Sequence, residues 1–202
     1  MPKVIGITGG IATGKSTVLR LFGEFGARTL SADDLARDVL AKDGPAYHQT
    51  IERFGESILK PGGEIDRPAL AAIVFSDSQA RADLNGITHP HIISAMQQAI
   101  DGFRNASPAP DAVMALEIPL LVECGLEGMV DEVVVVAAEH ETQQSRLTNR
   151  KGLTAEEARQ RIAAQMPIER KVERADRVIW NSGSIEDLRG SVHAVWDEIY
   201  LL

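Results

Sequence analysis

Glycine, lysine and serine residues near the amino terminus have the spacing of a phosphate-binding loop. Residues 9–17 read Gly-Gly-Ile-Ala-Thr-Gly-Lys-Ser-Thr, which fits the pattern G-x-x-x-x-G-K-[ST]. The glycines let the backbone fold closely around an anion, so that N–H groups and the positive end of the following helix point at phosphates. We therefore expect Lys15 to reach the β- and γ-phosphates of a nucleotide, and the Ser16 hydroxyl to ligate Mg²⁺.

The residues on both sides of this loop agree with that interpretation. A short apolar run at residues 4–7 precedes the glycines, and residues 18–22 carry apolar side chains at helical spacing. This strand, loop and helix order is the one the motif requires, and it disfavours the alternative of a glycine-rich turn without a ligand. The predicted nucleotide-binding residues are Gly10, Ile11, Ala12, Thr13, Gly14, Lys15, Ser16 and Thr17.

Composition limits the classes of protein that the chain can belong to. Its 202 residues, 44% of them hydrophobic, suit one compact domain with insertions, and no apolar stretch or leader pattern indicates a membrane span or secretion. The single cysteine, Cys124, suits a cytoplasmic location, and we interpret it as a core residue. The net charge of −8 argues against a nucleic-acid partner, and the composition makes no prediction of the oligomeric state.

Two aspartates follow the second predicted strand, residues 27–30. Segment 31–34, Ser-Ala-Asp-Asp, lies at the carboxyl end of that strand, where open α/β sheets build their active sites. Asp33 is placed to receive a proton from a hydroxyl group, and Arg37, one turn further on, to bind an anionic part of an acceptor. The alternative is that the two aspartates only complement the dipole of the helix that starts here.

Residues from about 44 to 105 have the pattern of short helices, which indicates a helical insertion beside the sheet. One of these helices spans Ser78 to about Thr88, and His89 with Pro90 separates it from the next, because the residue before a proline avoids helical angles. A histidine at such a boundary is usually structural. His89 is nevertheless a candidate for contact with substrate.

A buried strand predicted over residues 112–118 carries an acid near its carboxyl end. Glu117 lies where nucleotide-binding proteins place the carboxylate that holds Mg²⁺ through water. The alternative is an edge residue that faces solvent, and the alternation of the strand does not decide between them.

A basic segment follows the next buried strand, residues 131–138. Arg146 and Arg150 share one helical face, and a capping box at residues 154–157 begins a further helix. Charged runs are most often solvated faces. In an acidic chain with a phosphate loop, this run indicates a mobile lid over about residues 140–170, in which Arg146 and Arg150 are the predicted catalytic arginines.

Strands alternate with helices along the chain, which predicts an α/β fold. We expect three layers, α/β/α, with a parallel sheet covered by helices on both faces, a helical acceptor-binding insertion and a lid. The last strand is predicted at residues 178–180, with a turn at 181–183 before a final helix.

Six segments in this order resemble the dephospho-coenzyme A kinase family over nearly the whole chain. They are residues 6–17, 32–37 (Ala-Asp-Asp-Leu-Ala-Arg), 88–90 (Thr-His-Pro), 119–123 (Pro-Leu-Leu-Val-Glu), 150–158 and 175–183. The resemblance implies a nucleoside-monophosphate-kinase-like core that uses ATP and Mg²⁺. It also implies that the acceptor is dephospho-coenzyme A, whose ribose 3′-hydroxyl is phosphorylated to give coenzyme A and ADP.

The same resemblance assigns roles to single residues. The family usually reads Asp-Ala-Asp where this chain reads Ser-Ala-Asp, and its last acid, Asp33, is expected to be the catalytic base, while the match of Arg37 is intact. Further expected contacts are Asn181 and Gly183 with the adenine of ATP, and His89, Pro119 and Leu120 with the acceptor.

Two other functions remain open from the sequence. The first is another small-molecule kinase on the same scaffold, such as a shikimate or nucleoside-monophosphate kinase. The second is a nucleotide-dependent switch, which needs neither an acceptor pocket nor a lid. The insertion and the arginine segment favour a kinase.

Overall fold

The computed structural model describes residues 2–106 and 109–201, without the side chains of residues 150, 151 and 201. The elements in chain order are β1 Lys3–Gly9, α1 Lys15–Glu24, β2 Arg28–Ser31, α2 Ala32–Val39, α3 Tyr47–Phe54, α4 Arg67–Ser76, α5 Ser78–Ala106, β3 Val113–Glu117, β4 Glu132–Ala137, α6 His140–Lys151, α7 Ala155–Ala163, α8 Ile168–Val172, β5 Arg177–Trp180 and α9 Ile185–Leu201. Short 3₁₀ helices lie at Glu56–Ile58 and Glu127–Met129.

The five strands form one parallel sheet in the order β2-β3-β1-β4-β5. Strand β1 lies at its centre, so the carboxyl end of β1, where the glycine loop begins, has a neighbouring strand on each side. In the register, Glu117 of β3 pairs with Ile7 on one side and with Ser31 on the other. This topology confirms the predicted α/β fold with a parallel sheet.

The sheet is buried on both faces, as its continuous apolar strands require. Successive residues of β1, such as Val4 and Ile5, point to opposite faces, and both are inaccessible to solvent. On one face, α1 and α9 pack on the strands through a cluster that includes Phe22 and Val192. This packing fixes α1, and therefore the loop that precedes it, against the centre of the sheet.

The contacts divide the chain into two compact units, Met1–Ser31 with Phe103–Leu202, and Ala32–Gly102. The second unit has a core of its own, to which α2, α3 and α4 contribute Val39, Tyr47 and Leu70. It begins at Ala32, whereas the sequence placed the start of the helical insertion near residue 44.

The predicted break at Pro90 is wrong, because α5 is one helix of 29 residues that continues through the proline. Proline in a helix interior lacks an N–H donor and costs about 3 kcal/mol relative to alanine. Leu84 and Ile87 before the proline and Ile92 after it all pack against the core of the second unit. Packing of these partly buried residues on both sides of Pro90 therefore offsets the lost hydrogen bond.

Within the described part of the chain, no helix combines the length and the apolar character that crossing a bilayer demands.

Candidate functional site

The loop between β1 and α1 has a backbone that only glycine adopts easily at two positions. Gly9 and Gly14 have φ angles of +148° and +100°. A Cβ atom at Gly9 would overlap the carbonyl oxygen of Val136, and one at Gly14 would overlap the side-chain amide of Asn181. Ala12 also has a positive φ, +58°, which is a strained conformation of the kind that clusters at functional sites. These constraints explain the glycine spacing in the sequence.

Lys15 begins α1 and lies back over the loop. Its ammonium group donates to the carbonyl of Gly10 at 2.8 Å and to that of Gly9 at 3.4 Å. The Thr13 hydroxyl also donates to the Gly10 carbonyl, at 3.0 Å. The lysine charge is thereby held beside the backbone that is expected to surround a phosphate.

Arg146 and Asn181 contact the loop from α6 and from the turn after β5. Arg146 donates to the carbonyls of Ala12 and Thr13 at 3.2 and 3.3 Å, and to Asn181 Oδ1 at 3.2 Å. Asn181, only 6% exposed, donates from Nδ2 to the Thr13 carbonyl at 2.7 Å. A recess of about 120 Å³ beside them is also lined by Gly183. The residues expected at adenine thus share one recess with an arginine of the predicted lid.

These contacts place the Arg146 guanidinium against the backbone carbonyls of the loop. Its expected part at the transferring phosphate stays a prediction. The side chain of Arg150, the second predicted arginine, lies outside the described residues. The capping box that begins α7 is confirmed, because Thr154 and Glu157 exchange side-chain and backbone hydrogen bonds.

The two predicted magnesium ligands contact each other. The Ser16 hydroxyl donates to Glu117 Oε1 at 2.9 Å, and Glu117 is only 5% exposed at the end of β3. Mg²⁺ prefers oxygen ligands and is usually held by one or two protein groups together with substrate phosphates. Among the described residues, no cluster of three or more His, Cys, Asp or Glu side chains could hold a metal by itself. The donor set therefore fits Mg²⁺ bound jointly with a nucleotide.

Two polar residues that sequence reasoning missed also reach the loop. Lys171 of α8 is fully buried, and its ammonium lies 3.3 Å from the Gly9 carbonyl, 3.1 Å from the Pro119 carbonyl and 2.7 Å from Glu123 Oε1. The backbone N–H of Ile11 donates to Oε1 of Gln165 at 2.6 Å. In the sequence, Lys171 is one of many basic residues between 146 and 177, and nothing there distinguishes it as buried.

Residues 3–187 match the family described as dephospho-CoA kinase. The dephospho-CoA kinase of Moorella thermoacetica is 44% identical over 196 residues, which cover 97% of this chain and 92% of that protein. The chain belongs to the dephospho-CoA kinase family.

Solved structures agree with this membership. The dephospho-CoA kinase of Campylobacter jejuni is 29% identical, with a TM-score of 0.74 over 100% of this chain and 98% of that one. A shikimate kinase from Bacteroides thetaiotaomicron shares the fold at a TM-score of 0.54 over 98% of each chain, but its identity of 11% supports no likeness beyond the fold.

The segment after β3, which matches the family at residues 119–123, is tied to the sheet through its backbone. The Pro119 carbonyl accepts from the Thr8 hydroxyl at 3.1 Å as well as from Lys171. Leu120 is 39% exposed. Cys124 is also exposed, so its interpretation as a core residue is wrong. Partial burial and the neighbouring Glu123 carboxylate raise its pKa, which disfavours the nucleophilic thiolate.

Three of the residues expected at the acceptor, Asp33, Arg37 and His89, belong to the second compact unit. Asp33 is exposed in the first turn of α2, two residues after β2 ends. Arg37 forms an exposed ion pair with Asp34 at 2.7 Å, and pairs of this kind contribute little to stability. His89 is half-buried in the interior of α5 rather than at a helix boundary.

Proposed function

We propose that this chain transfers the γ-phosphoryl group of ATP to the ribose 3′-hydroxyl of dephospho-coenzyme A, which gives coenzyme A and ADP. This reaction is the last step of coenzyme A biosynthesis. The observation that carries the proposal is the buried Ser16–Glu117 contact beside the glycine loop, in a chain that matches the dephospho-CoA kinase family over residues 3–187. On the grounds of charge and cysteine content, we also propose a cytoplasmic location without a nucleic-acid partner.

The phosphate loop would supply most of the charge stabilisation. Loop N–H groups from Gly10 to Thr17, apart from that of Ile11, which donates to Gln165, would surround the phosphates. Lys15 would turn from the Gly10 carbonyl toward the β- and γ-phosphates. Ser16 and Glu117 would hold Mg²⁺, which neutralises charge on the phosphate oxygens when it is bound. Asn181 and Gly183 would bind the adenine, because they line the recess beside the loop.

The second compact unit would supply three of the acceptor residues, Asp33, Arg37 and His89. Asp33 would orient the 3′-hydroxyl and take its proton, while Arg37 would leave its exposed partner Asp34 to bind an acceptor phosphate. His89, Pro119 and Leu120 would contact other parts of the acceptor. Arg146 and Arg150 of the lid, about residues 140–170, would neutralise charge on the transferring phosphoryl group.

Replacing Asp33 by asparagine tests the assignment of the base. We expect kcat to fall by at least about 100-fold, because the amide cannot accept the proton, while the Kd for ATP stays within about threefold. Asp34→Asn is the matched control, since it removes the adjacent exposed carboxylate of the same helical turn. A near-normal kcat for Asp33→Asn, measured as ADP formation with dephospho-coenzyme A, would show that another group is the base.

A panel of acceptors tests the substrate. We expect dephospho-coenzyme A to stimulate ADP formation far more than shikimate or nucleoside monophosphates do. Stimulation by one of these alternatives alone would overturn the proposed substrate. ATP hydrolysis that no acceptor stimulates would instead favour a nucleotide-dependent switch.

A further inference from the structure

Gln165 lies in the turn between α7 and α8, at the edge of the phosphate loop. The hydrogen bond from the Ile11 backbone N–H fixes which end of its carboxamide faces the loop, because only the oxygen can accept it. The distance of 2.6 Å indicates close contact. Ile11 is the third residue of the loop, so this contact joins the predicted lid segment to the phosphate site itself.

A second contact fixes the position of this turn. Lys171 follows six residues later, and its buried ammonium contacts the carbonyl of Gly9, where the loop starts. It also donates to the Pro119 carbonyl and forms an ion pair with the Glu123 carboxylate at 2.7 Å. The segment from Gln165 to Lys171 is therefore attached to the loop at both ends.

The nitrogen of the Gln165 carboxamide, Nε2, does not take part in holding the loop. A carboxamide is planar, so a bond at Oε1 also directs the two N–H donors of Nε2. Nε2 makes no hydrogen bond to the described residues, and Gln165 lines a cavity of about 550 Å³ together with Gly10 of the loop. The residue thus offers an oriented, neutral donor beside the backbone that is expected to hold the phosphates.

We propose that Gln165 is a catalytic residue of the phosphoryl transfer, with Oε1 held by the Ile11 N–H and Nε2 donating a hydrogen bond to an oxygen of the transferring group. The inference rests on the proposed kinase function. In the reaction, a bond forms between the acceptor 3′-oxygen and the γ-phosphorus while the bond from phosphorus to the bridging oxygen breaks. ADP leaves with that electron pair, and the hydroxyl proton goes to Asp33. Gln165 gives up no proton.

This geometry suits the distribution of charge in the transition state. Phosphoryl transfer spreads negative charge over three equatorial oxygens, and fixed donors aimed at developing charge are effective because they need no reorganisation. Lys15 carries its charge on a long flexible side chain, whereas the Gln165 carboxamide is held at Oε1 by the Ile11 N–H, in a segment that Lys171 also attaches to the loop. It would therefore act mainly on the transition state and less on binding of ATP.

Two substitutions at Gln165 separate the roles of the two ends of its carboxamide. Gln165→Met removes both polar ends at similar length, and we expect kcat to fall about 100-fold with the ATP KM within about threefold. Gln165→Glu keeps an acceptor for the Ile11 N–H but replaces the donor by a negative charge, so kcat should fall further. Gln160→Met is the matched control, because Gln160 is exposed on α7 and its side chain bonds only Glu156 within the described part of the chain.

Binding of a transition-state mimic distinguishes catalysis from loop support. The probe is ADP with Mg²⁺ and aluminium fluoride in the presence of dephospho-coenzyme A, compared with ADP and Mg²⁺ alone. We expect Gln165→Met to weaken binding of the mimic by about the factor lost in kcat, and to leave ADP binding nearly unchanged.

Two results would overturn the inference. One is a kcat of Gln165→Met equal to that of Gln160→Met. The other is an equal loss of affinity for ADP and for the mimic, which would assign Gln165 to the shape of the loop only. If the unmodified enzyme did not phosphorylate dephospho-coenzyme A, the proposed function would fail instead, so the two failures are distinguishable.

Discussion

Asn181→Ala tests whether donors outside the phosphate loop hold it ready for a nucleotide. Asn181 is buried, and its side chain makes two hydrogen bonds, one to the Thr13 carbonyl at 2.7 Å and one from Arg146 at 3.2 Å. Alanine removes both. The loop would then sample other conformations, and ATP binding would have to restore the ordered one.

The expected magnitude follows from the partners that remain. Arg146 still donates to the carbonyls of Ala12 and Thr13, so no backbone carbonyl of the loop loses every donor. Each lost bond therefore costs about 1 kcal/mol rather than a full desolvation penalty, or about 2 kcal/mol together. If ATP binding bears all of this cost, the KM for ATP rises about 30-fold. We expect a rise of at least about tenfold with a smaller change in kcat, and loss of the proposed adenine contact of Asn181 would add to that rise.

ADP formation at saturating dephospho-coenzyme A, with ATP varied, measures this effect. Asn149→Ala is the control, because Asn149 is exposed on α6 and, among the described residues, its side chain bonds only the Ser145 hydroxyl. An ATP KM for Asn181→Ala equal to that of the control would refute the reasoning. A lowered melting temperature with unchanged KM would show that the bonds stabilise the fold but do not organise the loop.

Three other substitutions probe the loop and α5. Gly14→Ala places a methyl group against the Asn181 side chain, on a backbone at φ +100° that alanine rarely adopts. We therefore expect titration calorimetry to detect no ATP binding, and normal binding would contradict this geometry. Lys171→Met leaves the Glu123 carboxylate without its ion-pair partner, so the free energy of unfolding measured in urea should fall by about 3 kcal/mol. An unchanged midpoint of urea unfolding would show that the fold does not need this ion pair. Pro90→Ala restores an N–H inside α5 and should raise that free energy by about 1–3 kcal/mol, whereas a lower melting temperature would mean that the proline stabilises the helix.

Local sequence signals predicted the elements that carry them. The apolar runs of β1, β3 and β4 read as buried strands because a parallel sheet covered on both faces leaves no polar alternation. The capping box of Thr154 and Glu157 predicted the start of α7, because its hydrogen bonds join residues only three positions apart in the sequence. The glycine loop and its attachment to α1 were predictable for the same reason: each requirement lies within one short segment.

Tertiary packing decided the cases that sequence reasoning missed. Pro90 is a strong local signal for a helix end, but burial of apolar residues on both sides of it keeps α5 continuous. Lys171 carries no local signal of its burial, because a basic residue in a sequence usually indicates a solvated surface. Its burial depends on oxygens of Gly9, Pro119 and Glu123, which are 48 or more positions away in the chain.

The outward-facing carbonyls of the loop explain why such distant donors are needed. A trans peptide group points its N–H and its C=O in opposite directions, so a loop that turns N–H groups toward an anion turns carbonyls toward the protein. Buried carbonyls need donors, and Lys171, Arg146 and Asn181 provide them for residues 9, 12 and 13. The motif in the sequence specifies only the half of the loop that faces the phosphates. Substitutions at the three donors should therefore weaken nucleotide binding even where the donor itself makes no contact with the nucleotide.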